Sequence, residues 1–305
     1  GRASGVEALL RWRHPIYGEI SPLITVALAE EAGLIDTLGR FVLDEACEQR
    51  AAWSCFVPAA LRLSINISPK QFLNPRFSDD ILVTIRNYEL EPQQIELEIT
   101  ETSLLEPDVQ ILESLTQLQT QGVRVAIDDF GMGHASLRYL RAFPVDTVKL
   151  DRSLTDACEN RVNEQIARSI LDLCRGLDIA TVVEGVENEA QVDRFLSLGF
   201  HIFQGYHFSR PLHGEACLAY IRKRSAPACR MAAMLRTIVA PKFSGIRRKL
   251  RTRACTNFFP SSDTIRSCHG PGSNVGQHLF SSPMVCPPAR FSGRSSAGNC
   301  RPSSR

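Results

Sequence analysis

Two hydrophobic rhythms alternate along the chain. Short β-branched or apolar runs recur at Val6–Arg11, Leu61–Ile67, Ile95–Thr100, Val123–Asp128, Val145–Leu150, Ile179–Glu184 and His201–Gln204. Between them apolar positions return every three to four residues. That spacing predicts helices over Ser21–Ala32, Leu38–Trp53, Ser78–Tyr88, Asp108–Gln121, Asn163–Leu177 and Asn188–Leu198. Ser21 followed by Pro22 reads as a helix opening, with a capping hydroxyl and then proline at the first helical position. Gly33, Gly122 and Gly199 fall where helices should stop. Strand–helix alternation implies a mostly parallel sheet covered by helices. Seven strand segments point to an α/β, TIM-type (β/α) barrel, one strand short of the usual eight. An open doubly wound sheet is the alternative, weakened because no Gly-x-Gly-x-x-Gly turn follows an early strand.

After Arg224 both rhythms stop. Residues 225–305 are rich in Ser, Pro, Gly and Arg, and hold 13 Lys/Arg against the single acid Asp263. Such composition predicts a disordered basic tail over 225–305 behind a folded domain of residues 1–224. The apolar stretch around Ile238–Phe243 reads as too short to change this. The net charge of +2 therefore divides into +12 for the tail and −10 for residues 1–224. An acidic enzyme face repels an anionic substrate unless bound cations neutralise it, which is a first pointer to a metal site. Three readings of the tail stand: out-of-frame or recombined coding sequence, a polyanion-binding arm, or a plain disordered extension.

An apolar share of 44% with 22% charged residues is ordinary for a soluble globular protein. No apolar run reaches the ~18–20 residues needed to span a bilayer, and Gly1–Gly5 has no signal-peptide pattern. A cytoplasmic location is expected, with membrane tethering of a longer parent left open. The ten cysteines contain no CxxC pair, so they read as reduced thiols rather than zinc ligands or disulfides.

In a βα barrel, chemistry gathers at the C-terminal ends of the strands. Those ends carry Glu7, Asn66, Glu98 (with Glu101 beyond it), Asp128 and Asp129, Lys149 and Asp151, Glu184 and finally Gln204. Carboxylates crowded onto one rim are costly unless compensated. Hard, oxygen-ligated cations resolve that cost, and the donor types suit Mg²⁺ or Mn²⁺; with neither His nor Cys in the set, zinc is disfavoured. Adjacent Asp128 and Asp129 could bridge two ions if Gly131 and Gly133 re-aim the chain. Lys149 would orient the hydrolytic water or neutralise developing phosphoryl charge.

These residues lie in blocks that resemble the EAL-domain phosphodiesterases. The blocks are Glu7–Arg13 (EALLRWR), Leu63–Pro69 (LSINISP), Glu96–Glu101 (ELEITE), Ala126–Gly133 (AIDDFGMG), Val148–Asp151 (VKLD), Val183–Glu187 (VEGVE) and Gln204–Pro211 (QGYHFSRP). The resemblance implies a TIM-like barrel that cleaves cyclic diguanylate (c-di-GMP) to the linear dinucleotide pGpG in bacterial signalling. It assigns metal binding to Glu7, Asn66, Glu98, Asp128, Asp129 and Glu184. It makes Glu7, Asp129, Lys149, Glu184 and Gln204 catalytic, with Lys149 and Gln204 close to the reacting water. Leu9, Arg11 and Asp151 would contact substrate. Glu101 would hold the loop 129–137, which couples metal binding to homodimerisation. An upstream sensory or GGDEF domain is implied for a longer parent, and no specific nucleic-acid partner is expected.

Three departures from the family pattern stand out. Met132, His134 and Ala135 replace its usual loop residues. The family's first strand, with a Gln-Pro pair, is absent before Gly1, which predicts exposed edges at Val6–Arg11 and His201–Gln204. Nothing after about Arg224 resembles the family. The competing functions are a receptor that binds c-di-GMP without cleaving it, and an inactive gene fragment.

Overall fold

The computed structural model describes residues 2–104, 109–131, 140, 143–156, 161–225 and 233–239. Each predicted apolar run lies on a strand of one parallel sheet: β1 (Arg2–Leu9), β4 (Arg62–Asn66), β5 (Ile95–Thr100), β6 (Arg124–Phe130), β7 (Thr147–Leu150), β8 (Ala180–Val183) and β9 (Ile202–Phe203). A short antiparallel hairpin, β2 (Trp12–His14) with β3 (Gly18–Ile20), follows β1. The six predicted helices are present as α1 (Pro22–Glu31), α2 (Ile35–Ala52), α3 (Phe77–Asn87), α4 (Val109–Thr120), α6 (Arg161–Gly176) and α7 (Glu189–Leu198). Two helices were not anticipated, α5 (Arg152–Asp156) and α8 (Gly214–Ser225). Ser21 does precede Pro22 at the start of α1, but its hydroxyl makes no cap; the Ser21 carbonyl instead accepts from the Thr25 amide and hydroxyl.

The seven strands curl into a TIM-type barrel, and an eighth, β10 (Ala233–Val239), lies between β1 and β9 and closes it. This corrects two expectations. The edges of β1 and β9 are paired with β10, and the stretch after 225 contains a strand. The β-branched run Thr237-Ile238-Val239 has the strand propensity to pair along β1. The rest of the expected tail, residues 226–232 and 240–305, lies outside the described residues.

The period-two alternation decides which side chains face the barrel axis. On β5, Leu97 and Ile99 pack outward into the core shared with the helices, while Glu96 and Glu98 point inward. The inward side chains form two polar layers. In the lower one, buried Glu96 accepts from Ser64 Oγ at 3.0 Å, from Thr147 Oγ1 at 2.8 Å and from Arg62 Nη1 at 3.1 Å. The upper layer is the candidate site.

Candidate active site

The upper layer is built from the last inward position of successive strands. Lys149 on β7 is 1% exposed, and its ammonium lies 2.8 Å from Glu184, 3.0 Å from Glu98, 3.2 Å from Asp128 and 3.8 Å from Glu7. Glu7 on β1 joins the two sides of the rim. Its Oε1 accepts from Asn66 Nδ2 at 2.8 Å, and its Oε2 accepts from Gln204 Nε2 at 2.6 Å. The alternation of five strands and the positions just after β8 and β9 thus bring Glu7, Asn66, Glu98, Asp128, Lys149, Glu184 and Gln204 together.

Asp129 reaches the same place by another route. Strict alternation would send it away from Asp128. The chain instead breaks register between Ile127 and Phe130, with Asp129 itself in the left-handed region at φ 55°. Bulges re-aim side chains in this way at barrel rims. Carboxylate oxygens of Asp128, Asp129 and Glu184 consequently lie within 4.8 Å of one another. Gly131, where the sequence placed a re-aiming turn, is also left-handed at φ 107°, and Gly133 lies outside the described residues.

Charge in this layer is frustrated. Burial pushes the Glu184 carboxyl up to about 8, a shift opposed by Lys149 and reinforced by Asp128 and Glu7. Burial and then Glu7 hold Glu98 well above the usual carboxylate range. Asp129 is raised by burial and then by Asp128 and Asp151. For Lys149, burial alone would favour the neutral amine, but Glu184, Glu7, Glu98 and Asp128 outweigh it and keep the ammonium charged. One lysine against four carboxylates leaves excess negative charge.

The residues fit a divalent cation. Neither Glu98 oxygen has an aligned hydrogen-bond donor, although Oε1 is an ion-pair distance from Lys149, and both are fully buried. Orphaned buried carboxylate oxygens beside an oxygen-only donor set are what a hard cation would satisfy. The linkage has a definite sign. Glu184 and Glu98 bind protons more tightly folded than unfolded, so the stability they confer is present below their ordinary value of 4.5 and is lost as pH rises toward 8. In chelator, the melting temperature should therefore fall between about pH 5 and pH 8, and saturating Mg²⁺ or Mn²⁺ should flatten that slope. A chelated protein whose melting temperature rises through this window would contradict the assignment.

Beside the layer opens a cleft of about 270 Å³ lined by Glu7, Leu9, Arg11, Glu184 and Gln204 together with residues from 205 to 211. Leu9 and Arg11 thus both face the open cleft. Asp151 is placed differently: its Oδ1 accepts from the Ser153 amide at the start of α5, and it does not line the cleft. Glu101 is buried, and its Oε2 accepts from the Gly131 amide at 2.9 Å. That is the described end of the loop it was expected to hold; residues 132–139, with Met132, His134 and Ala135, lie outside the described residues.

Two cleft residues escaped sequence reasoning. Arg152 follows Asp151 directly, and its guanidinium is fixed by Asp156 at 2.9 Å and Glu187 at 2.7 Å. Its stem lies over Gly185, where a Cβ would meet Arg152 Cγ at 2.5 Å. Tyr206 stands exposed across the cleft with Arg210 stacked 4.7 Å above its ring. Gly205 before it leaves no room for a side chain, since a Cβ would sit 2.1 Å from the Val186 carbonyl oxygen. The i,i+4 spacing of Arg152 and Asp156 was readable; the partnership with Glu187 and Gly185 crosses two strands and was not.

Comparison with known proteins agrees with this geometry. The EAL domain family model matches residues 1–211. MucR of Pseudomonas aeruginosa, a bifunctional diguanylate cyclase/cyclic di-GMP phosphodiesterase, is 38% identical over 222 residues, 72% of this chain and 32% of that protein. The solved MucR phosphodiesterase in complex with c-di-GMP superimposes with a TM-score of 0.67, over 71% of this chain and 88% of that one. BlrP1 of Klebsiella pneumoniae, solved as a manganese/c-di-GMP complex, is 28% identical with a TM-score of 0.58, over 65% of this chain and 49% of that one. The chain belongs to the EAL domain family. It spans 26–32% of the length of several curated relatives. Among the described residues, no helix is long and apolar enough to cross a membrane.

Proposed function

We propose that this protein hydrolyses c-di-GMP to the linear dinucleotide pGpG in a Mg²⁺- or Mn²⁺-dependent reaction. The observation that carries the reading is the inward ring of Glu7, Glu98, Asp128 and Glu184 around Lys149, opening onto the cleft beside Leu9 and Arg11. Glu7, Asn66, Glu98, Asp128, Asp129 and Glu184 would hold the cation or cations. When bound, these polarise the phosphoryl oxygens and lower the pKa of water.

The chain's own groups do the rest. Arg11 meets a phosphate at the mouth of the cleft, and Leu9 packs beside it. Lys149 remains an ammonium at neutral pH, so it can stabilise charge developing at phosphorus and orient the attacking water. Gln204 is fixed by its bond to Glu7, which leaves its buried carbonyl oxygen without a protein partner and free to accept from that water. Water adds its oxygen to phosphorus and gives up a proton, the ester bond to one ribose breaks, and the leaving ribose oxygen takes up a proton to become a hydroxyl. Homodimer coupling through Glu101 and the loop after Gly131, and an upstream sensory or GGDEF domain, belong to the same reading. MucR, named for both cyclase and phosphodiesterase activities, is a relative with such a combination.

The test is turnover of c-di-GMP by the full chain, with product separated chromatographically, in Mg²⁺ or Mn²⁺ against a chelator. Metal-dependent pGpG formation, abolished in Glu7→Ala, is the expected result. A folded chain that binds the nucleotide and leaves it intact would overturn the reading and make the protein a receptor.

A further inference from the structure

Glu184 stands at a turn that is fastened unequally on its two sides. Toward β9 the fastening is backbone. The Gln204 amide donates to the Val183 carbonyl at 2.8 Å, the Val186 amide to the Gln204 carbonyl at 3.1 Å and the His207 amide to the Val186 carbonyl at 3.0 Å. Toward β7, beyond the paired strands, one backbone bond reaches across, from the Glu184 amide to the Leu150 carbonyl, and it is long at 3.3 Å. Among the described residues the other ties on that side are side chains. Buried Gln191 of α7 accepts from the Glu187 and Asn188 amides at 2.7 and 3.2 Å, and donates to the Thr155 carbonyl of α5 at 3.3 Å. Arg152 makes the second tie, on the cleft face.

Arg152 acts on that turn in two ways at once. Its Nε donates to Asp156 at 2.9 Å and its Nη2 to Glu187 at 2.7 Å, so one planar guanidinium joins α5 to the turn. Its stem covers Gly185, the residue after Glu184, which is left-handed at φ 67°; a Cβ there would lie 2.5 Å from Arg152 Cγ. Two carboxylates already match its charge. Arg11, also on the cleft, has no carboxylate partner among the described residues and donates to the Leu10 carbonyl. Arg11 is therefore the arginine suited to an incoming phosphate, and Arg152 is suited to holding protein.

We propose that Arg152 is a positioning residue for Glu184. By clamping Gly185 and Glu187 to α5, it fixes the turn that carries the Glu184 carboxylate to 2.8 Å from Lys149 and beside Asp128 and Asp129. The proposal rests on the reading of Glu184 as a cation ligand. Groups that orient a metal ligand from behind typically govern affinity or activity by roughly 10–100-fold. The ion pair itself is half exposed, 53% for Arg152 and 45% for Glu187, and such pairs contribute little to stability. Cation binding should therefore suffer more than folding, a split that a general structural role would not produce.

The test is calorimetric titration of the full chain with Mn²⁺, without nucleotide, set beside melting in chelator and steady-state turnover. Arg152→Gln should weaken Mn²⁺ binding about tenfold and lower the melting temperature in chelator by less than about 4 °C. At saturating Mn²⁺ its KM for c-di-GMP should stay within about twofold of the parent value. Glu187→Gln should weaken Mn²⁺ binding to the same extent, and the double variant no further than either single one, because the two groups act as one clamp. Arg152→Lys keeps a stem over Gly185 and one charge without the fork, and should recover part of the loss. Glu184→Gln reads the ligand assignment separately. If it loses Mn²⁺ while Arg152→Gln binds as the parent does, the clamp is overturned and the assignment stands. If Glu184→Gln itself binds Mn²⁺ as the parent does, the assignment fails and the clamp falls with it. Additive losses in the double variant would overturn the clamp, as would a raised KM with unchanged Mn²⁺ binding, which would make Arg152 a substrate contact.

Discussion

Lys149→Met should reduce c-di-GMP turnover by at least about 10²-fold while leaving divalent cation binding intact. Four carboxylates, Glu7, Glu98, Asp128 and Glu184, lie within 4 Å of this one ammonium. Without it they have no fixed countercharge. Breaking a buried ion pair by removing one partner costs about 3–5 kcal/mol, so the metal-free variant should melt well below the parent protein. The carboxylates can offset part of this by taking up protons. A cation would then supply the missing positive charge, and the rise in melting temperature on adding Mg²⁺ or Mn²⁺ should be larger in the variant than in the parent. The combination separates holding the metal from using it. Calorimetric melting with and without cation, set beside turnover, checks both halves. Full turnover in Lys149→Met would remove the lysine from the chemistry, and failure of the cation to stabilise it would remove the carboxylates from metal binding.

Glu96→Ala should cost about 3–5 kcal/mol of stability with no direct effect on chemistry. Glu96 is fully buried, and its carboxylate receives Ser64, Thr147 and Arg62. Truncation leaves the largely buried Arg62 guanidinium without its partner, together with two orphaned hydroxyls. The lower layer thus pins β4, β5 and β7 together beneath the upper one. Urea unfolding measures the loss. Turnover per folded molecule should be unchanged at temperatures where the variant is still folded. A stability loss below about 1 kcal/mol, the net worth of one ordinary hydrogen bond, would mean that the network contributes little.

Glu98, one of the four carboxylates around Lys149, and Glu96 lie on one strand. The run Ile95–Thr100 alternates apolar and acidic positions, and the pleat alone dictates that Glu96 and Glu98 share a face. That much was legible, as were the seven strands, the six helices and the gathering of strand-end carboxylates, because periodicity and position in a βα unit are local properties. Asp128 and Asp129 were legible only as types. Their convergence depends on a register break and a left-handed residue, which neighbouring strands impose rather than the local sequence. The two acidic layers also looked alike in the sequence. Only the cross-strand partners distinguish Glu96, neutralised by Arg62 and two hydroxyls, from Glu98, whose oxygens lack donors.

The sequence by itself determined the alternating βα architecture, the chemical character of the rim and the family. These follow from hydrophobic period and residue type, which act over a few residues at a time. The tertiary structure decided three further things. It set the protonation frustration around Lys149, which requires five side chains from different strands and strand ends to meet in one place. It pinned Arg152 between Glu187 and Asp156 over Gly185. And it set Ala233–Val239 alongside β1, where the backbone groups of the two strands pair across residues far apart in sequence.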